Sequence, residues 1–288
     1  MHVFFYLSRP AALLFALLAS APRAEAEIVE TVVKLPVRVL HEGQPVSRDI
    51  TLTIIRDNAR KKSPFLILNH GRAPTAEGRA KYGRAVYRNQ ARYFVQQGYA
   101  IFLPTRIGYG VTGGPDVESS GACNAKDYAS SLVPAVTQVA AAVTYAQRQD
   151  YVDAARGAVL GSSVGGFTTV AASAASLHGV KAAVNFAGGA GGDPVKRTGA
   201  PCQPDRIGAT FAAYGARSRI PTLWLYAPND RYWGADHPKQ WFAQFTAKGG
   251  KGTFVTLPPS RDDGHQAFTK DMDSWKPSVA AFLKNAGL

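Results

Sequence analysis

Cysteine is nearly absent from this 288-residue chain, which carries only Cys123 and Cys202. That excludes a small domain held together mainly by disulfides. Neither residue has a companion cysteine or histidine at metal-ligand spacing, so no zinc site or other metal site is expected. Acidic residues are also few, 20 against 33 Lys and Arg, leaving a formal charge of +13. The cations are scattered, as at Arg60, Lys61, Lys62, Arg79, Lys81, Arg84, Arg88 and Arg92, and form no long block. Nothing reads as a nucleic-acid module, and the basic surface points to anionic partners or to a solvated face. Internal repeats and low-complexity tracts are missing, which excludes a solenoid and leaves an ordinary globular composition.

Long apolar runs are missing too, with one exception at the N-terminus. Arg9 is the one charged side chain among residues 1–10, and residues 11–19 are wholly apolar. Ala24-Glu25-Ala26 then fits a small-residue cleavage site. The apolar run is short of the about 20 residues that span a bilayer. The expectation is a signal peptide over 1–26 and a single domain over 27–288, periplasmic or secreted, with no integral membrane association after cleavage. Loss of Arg9, Arg23 and Glu25 lowers the formal charge by one, to +12. In an exported chain an even cysteine count favours a bond, and both cysteines sit in Gly-rich loop sequence, so Cys123–Cys202 is the disulfide candidate.

What remains alternates between strand-like and helix-like segments, the pattern of a mostly parallel α/β sheet. Strands are expected at 28–39, 50–55, 64–68, 99–104, 157–160, 180–186, 222–226 and 252–257. Helices are expected at 85–97, 126–148 despite Pro134, 167–175, 207–216, 238–247 and 275–286. The Gly- and Pro-rich patches between them are too short to be linkers.

The pattern Gly161-Ser-Ser-Val-Gly165 falls between a strand and a helix. A tight turn there would lift the Ser163 hydroxyl clear of the sheet, and glycines allow strand and helix to approach closely. A serine needs a base, and in this arrangement the partners follow in the order acid, then histidine. Asp230 ends the segment Thr222–Tyr226-Ala-Pro-Asn-Asp, and His265 follows the last strand. Asp193 is a rival acid. Asp262 and Asp263 lie too near His265 in sequence to orient its far nitrogen. His41 comes too early in the chain, and His178 and His237 do not follow a strand. An oxyanion would take the backbone N–H groups of Val164 and Arg72, with His70 bracing the loop that carries Arg72. The Arg72 side chain either faces an anionic substrate group or lies exposed without a partner.

Asn69-His-Gly71, Pro104-Thr-Arg-Ile-Gly-Tyr-Gly110, Gly161–Gly166, Leu223–Tyr226 with Asn229-Asp230, and Asp263-Gly-His265 together resemble the α/β-hydrolase superfamily. Within it they are similar to dienelactone-hydrolase-like and prolyl-oligopeptidase-like bacterial serine hydrolases. The resemblance runs from about Pro64 to the C-terminus. It implies an eight-stranded, mostly parallel sheet flanked by helices, a minimal cap and an acyl-enzyme mechanism without a cofactor. Dienelactone hydrolases proper use a cysteine nucleophile, where this chain holds Ser163. The expected function is a carboxylesterase acting on a small-molecule or peptide substrate, with peptidase or amidase, or a non-catalytic envelope binding protein, as alternatives. The cleft is expected to be open and edged by Tyr109, Cys123, Tyr232 and Trp233, with the disulfide joining two loops over it.

Overall fold

The computed structural model describes residues 1–3 and 27–288; the expected signal segment 1–26, with its cleavage site, lies almost wholly outside them. Eight strands form one sheet: β1 (Ile28–His41), β2 (Gln44–Asp57), β3 (Ser63–Asn69), β4 (Ala100–Thr105), β5 (Val152–Ser162), β6 (Val180–Phe186), β7 (Thr222–Tyr226) and β8 (Gly252–Thr256). Their order across the sheet is β1-β2-β4-β3-β5-β6-β7-β8. Strands β3 to β8 run parallel, whereas β1 and β2 form an antiparallel hairpin whose inner strand pairs antiparallel with β4.

The helices are α1 (Ala76–Ala80), α2 (Arg88–Gln96), α3 (Tyr128–Gln147), α4 (Val164–Ser173), α5 (Pro204–Gly215), α6 (His237–Ala247), α7 (Ala267–Lys270) and α8 (Met272–Asn285). They cover both faces. One core layer gathers Leu66, Leu68, Ile101, Leu103, Leu160, Val184 and Leu225 with α2 and α8, closed by Phe94, Phe268 and Trp275. The other face carries Phe65, Ile67, Phe102, Val159 and Val139 of α3, and further along Phe167, Phe211, Trp224 and Trp241. Central strands are apolar on both faces because helices cover both.

Helix α3 corrects one expectation. It is long and apolar enough in composition to cross a membrane. Its Leu132, Ala135, Val139, Ala142, Val143 and Ala146 are nevertheless buried against the rest of the fold. Between β6 and β7 only the loops 187–203 and 216–221 and α5 intervene, and α5 packs its Ile207 and Phe211 into the core, so little is left to form a cap.

Because β3 to β8 are parallel, the segments leaving their C-terminal ends meet at one edge of the sheet, where open α/β folds place their sites. Those segments begin at Asn69, Thr105, Ser162, Phe186, Tyr226 and Thr256.

Candidate active site

Ser163 stands between β5 and α4 with φ 59° and ψ −127°. That left-handed φ is unfavourable for a residue with a Cβ and costs on the order of 1–3 kcal/mol. The surrounding packing enforces it. A Cβ at Gly161 would come within 2.2 Å of the Gly165 carbonyl, one at Gly165 within 2.3 Å of the Asn69 carbonyl, and one at Gly166 within 2.4 Å of Asn185 Oδ1. Strand β5, helix α4 and the chain leaving β3 are therefore pressed together at a turn with no room for a side chain at positions 161, 165 and 166. The backbone of Ser163 is tied to the next loop, donating N–H to Phe186 O at 3.0 Å and accepting from Gly189 N–H at 3.3 Å.

Asp230 and His265 are brought together from the ends of β7 and β8. The His265 ring Nδ1 bonds Asp230 Oδ2 at 3.0 Å, while Asp230 Oδ1 accepts the N–H groups of Tyr232 (2.8 Å) and Trp233 (3.1 Å). Asp230 is only 2% exposed, and these three donors meet its two oxygens. Asp263 bonds the backbone N–H of His265 rather than its ring, as its nearness in sequence requires. The rival Asp193 accepts the N–H groups of Val195 and Lys196 instead. Tyr232 stacks on the His265 ring at 4.0 Å between centroids, and Trp233 meets it edge-on at 5.3 Å.

The chain leaving β3 is anchored from beneath. His70 is fully buried; its Nε2 accepts the Arg106 N–H at 3.1 Å and its Nδ1 bonds Gly71 O at 2.7 Å, which fixes a neutral ring protonated on Nδ1. Burial, and then the neighbouring Arg106 charge, hold its pKa well below the ordinary value. Arg106 in turn bonds His70 O and forms a buried pair with Glu118 at 2.6 Å. His70 thus braces the loop, as the sequence implies. Gly71 lies against the serine, since a Cβ there would be 3.2 Å from Ser163 Cβ. Val164 opens α4, so its N–H has no acceptor within the helix.

Three expectations are corrected. The Arg72 side chain is neither unpaired nor free for substrate, because it grips both oxygens of Asp116 at 2.7 and 2.5 Å. Tyr109 and Trp233 do not edge a cleft: both are buried, Tyr109 bonding Glu118 Oε2 and Trp233 donating to Ala187 O. Their aromatic character alone did not distinguish rim from support. Nothing local in the sequence marks Glu118 as the partner of Arg106, 12 residues on, or Asp116 as that of Arg72, 44 residues on.

Cys123 and Cys202 form the expected disulfide, with Cα atoms 5.1 Å apart. It joins the loop after β4 to the loop after β6, and a disulfide fits an oxidising, extracytoplasmic setting. Among the described residues no group of three or more His, Cys, Asp or Glu is gathered as a metal site. Surface clefts of about 340 and 400 Å³ lie elsewhere, one between α2 and α8, the other among α3, α4 and α5.

Sheet order, elbow and acid–histidine pair can be set beside solved structures. An acetyl xylan esterase from Paenibacillus sp. R4 superposes with a TM-score of 0.59 at 16% identity, covering 91% of this chain and 88% of that one. The chain has the α/β-hydrolase fold. A dienelactone-hydrolase-like promiscuous phosphotriesterase from metagenomic libraries gives 0.53 at 13% identity, over 90% and 98% of the two chains. A puromycin-hydrolysing peptidase from Mycobacterium tuberculosis gives 0.57 at 19%, over 94% of this chain but 41% of that one. No protein-family profile and no curated protein matches the sequence.

Proposed function

We propose that this α/β-hydrolase is a serine hydrolase that cleaves carboxylic esters through an acyl-enzyme, with Ser163 as nucleophile, His265 as base and Asp230 as orienting acid. The observation that carries this reading is the Asp230–His265 pair at the same sheet edge as the strained Ser163 turn. Asp230 holds Nδ1 of the ring, which leaves Nε2 to take the Ser163 proton. The freed oxygen attacks the substrate carbonyl, and charge on the former carbonyl oxygen is met by the N–H groups of Val164 and Arg72. His265 then protonates the leaving group, and water, deprotonated by the same ring, releases the acyl group. One oxyanion donor contributes about 3 kcal/mol to the barrier.

Buried Asp230 and neutral, fully bonded His70 support dividing the histidine roles this way, since His70 has no nitrogen left for proton transfer. The disulfide and the N-terminal sequence support a periplasmic or secreted protein whose signal peptide ends at Ala26. Its substrate is a small molecule or a peptide.

The test is hydrolysis of p-nitrophenyl acetate and butyrate by residues 27–288, with Ser163→Ala and His265→Ala alongside. Activity should fall by a factor of at least about 10⁴ in each variant. Activity retained in Ser163→Ala contradicts the assignment. A parent that cleaves p-nitroanilides faster than esters moves the reading to a peptidase or amidase. A parent inert to both supports a binding protein on this fold.

A further inference from the structure

The edge that holds Ser163 also carries cations that acyl transfer does not use. Lys126 sits where the loop after β4 enters α3. Its Nζ donates to Gly121 O at 2.5 Å and Ser120 Oγ at 3.3 Å. Its main chain is pinned from the opposite loop and from α5, donating to Gln203 Oε1 and accepting from Arg206. Arg197 comes from the loop after β6, whose Gly189 bonds Ser163 O. One guanidinium nitrogen donates to Gly191 O at 3.3 Å, and that carbonyl also accepts the Cys202 N–H. Its Nε is buried with no hydrogen-bond partner. Both cations therefore stand on segments joined by the Cys123–Cys202 bond.

These charges converge. Arg197 donates to Gly191 O, and a Cβ on Gly191 would meet the Tyr128 hydroxyl, two residues on from Lys126. Burial, and then the Arg72 and Arg197 charges, also hold the Lys126 amine below its ordinary pKa. The nearby acids are largely engaged, though Asp193, whose backbone carbonyl accepts the Arg197 backbone N–H, also feels the Arg197 charge. Asp116 pairs with Arg72 and Arg79, Glu118 with Arg106, Asp127 caps α3 at Ser130, and Asp193 bonds the amides of Val195 and Lys196. Among the described residues neither Lys126 nor Arg197 has an ion-pair partner. With neither held in a salt bridge and an unpaired buried donor costly, an arriving anion supplies the missing acceptor. A carboxylate suits the pair, since arginine offers a planar fork and lysine a point charge.

We propose that Lys126 and Arg197 form an anion subsite next to Ser163 that selects substrates bearing a carboxylate. The selection rests on the serine-hydrolase reading above; the binding does not.

Two arms test it. In the first, mono-4-nitrophenyl adipate is compared with 4-nitrophenyl hexanoate, esters of equal acyl length that differ in one charge. The parent should favour the charged ester in kcat/KM by about tenfold or more. That ratio should fall about tenfold in Arg197→Gln and Lys126→Gln, recover in part in Arg197→Lys, and shrink as salt rises to about 0.3 M. A parent ratio at or below one, or a ratio unmoved in both Gln variants, overturns the subsite while leaving the catalytic reading intact. Cleavage of neither ester sinks the catalytic reading instead. The second arm then still decides the subsite: calorimetry on Ser163→Ala with monomethyl adipate and dimethyl adipate. Tighter binding of the monoanion, lost in Ser163→Ala/Arg197→Gln, supports the subsite. Equal or tighter binding of the neutral diester overturns it.

Discussion

Trp233 donates its indole N–H to the carbonyl of Ala187 at 2.7 Å. The same ring lies edge-on to His265, and Ala187 is the first residue after β6. Two residues on, Gly189 holds the Ser163 carbonyl. The tryptophan therefore couples the loop behind the serine to the histidine and its acid, whose Oδ1 also accepts the Trp233 amide.

Trp233→Phe keeps the ring contact and removes the N–H. A buried carbonyl left unpaired costs about 1–3 kcal/mol, which a urea midpoint will report. If the coupling matters, kcat falls several-fold as well. A variant as stable and active as the parent removes the coupling role.

The disulfide spans a separation of 79 residues. Closing so long a loop restricts the unfolded chain, and its loss should cost roughly 2–5 kcal/mol. Thermal denaturation of Cys123→Ser/Cys202→Ser should therefore begin at lower temperature. Reductant should bring the parent down to the same curve and leave the variant unmoved. Because the bond ties together the two loops flanking the site, KM should rise more than kcat falls.

His70 makes stability depend on pH. Burial and Arg106 depress its folded pKa, so in the unfolded chain it takes up a proton below about 6.5 whereas in the folded chain it does not. The stability it contributes is full above that pH and declines as pH falls below it, by up to about 1.4 kcal/mol per pH unit. The acid limb of a urea-midpoint profile should be shallower in His70→Gln. Parallel acid limbs would mean that His70 keeps its ordinary pKa when folded.

Much of this was legible in the sequence because the signals are local. The elbow needs small residues at fixed spacing, and Gly161, Gly165 and Gly166 are each crowded by a neighbouring backbone or side chain. Asp230 and His265 follow apolar strands, so parallel topology alone brings them to one edge. Boundaries were less legible. β5 starts at Val152 rather than 157, because its first turn of chain is small and polar, and α4 starts at Val164 rather than 167. Two glycines disguise that helix start, since they are poor helix formers retained for close packing. The β1–β2 hairpin is longer than its buried stretches, which are Leu35 to Val39 in β1 and Ile50 to Ile55 in β2. Polar burial was the least legible. Arg106, Glu118, Arg72 and Asp116 are charged residues whose pairing depends on tertiary contacts, and no local pattern separates them from a solvated face.

The central claim is that Ser163 is the activated nucleophile, and covalent labelling addresses it most directly. Residues 27–288 are treated with a fluorophosphonate, digested, and the adduct is mapped by mass spectrometry in the parent and in His265→Ala. The account predicts one adduct, on Ser163, formed far more slowly when His265 is absent. Labelling at another residue, or equally fast labelling without His265, would contradict it.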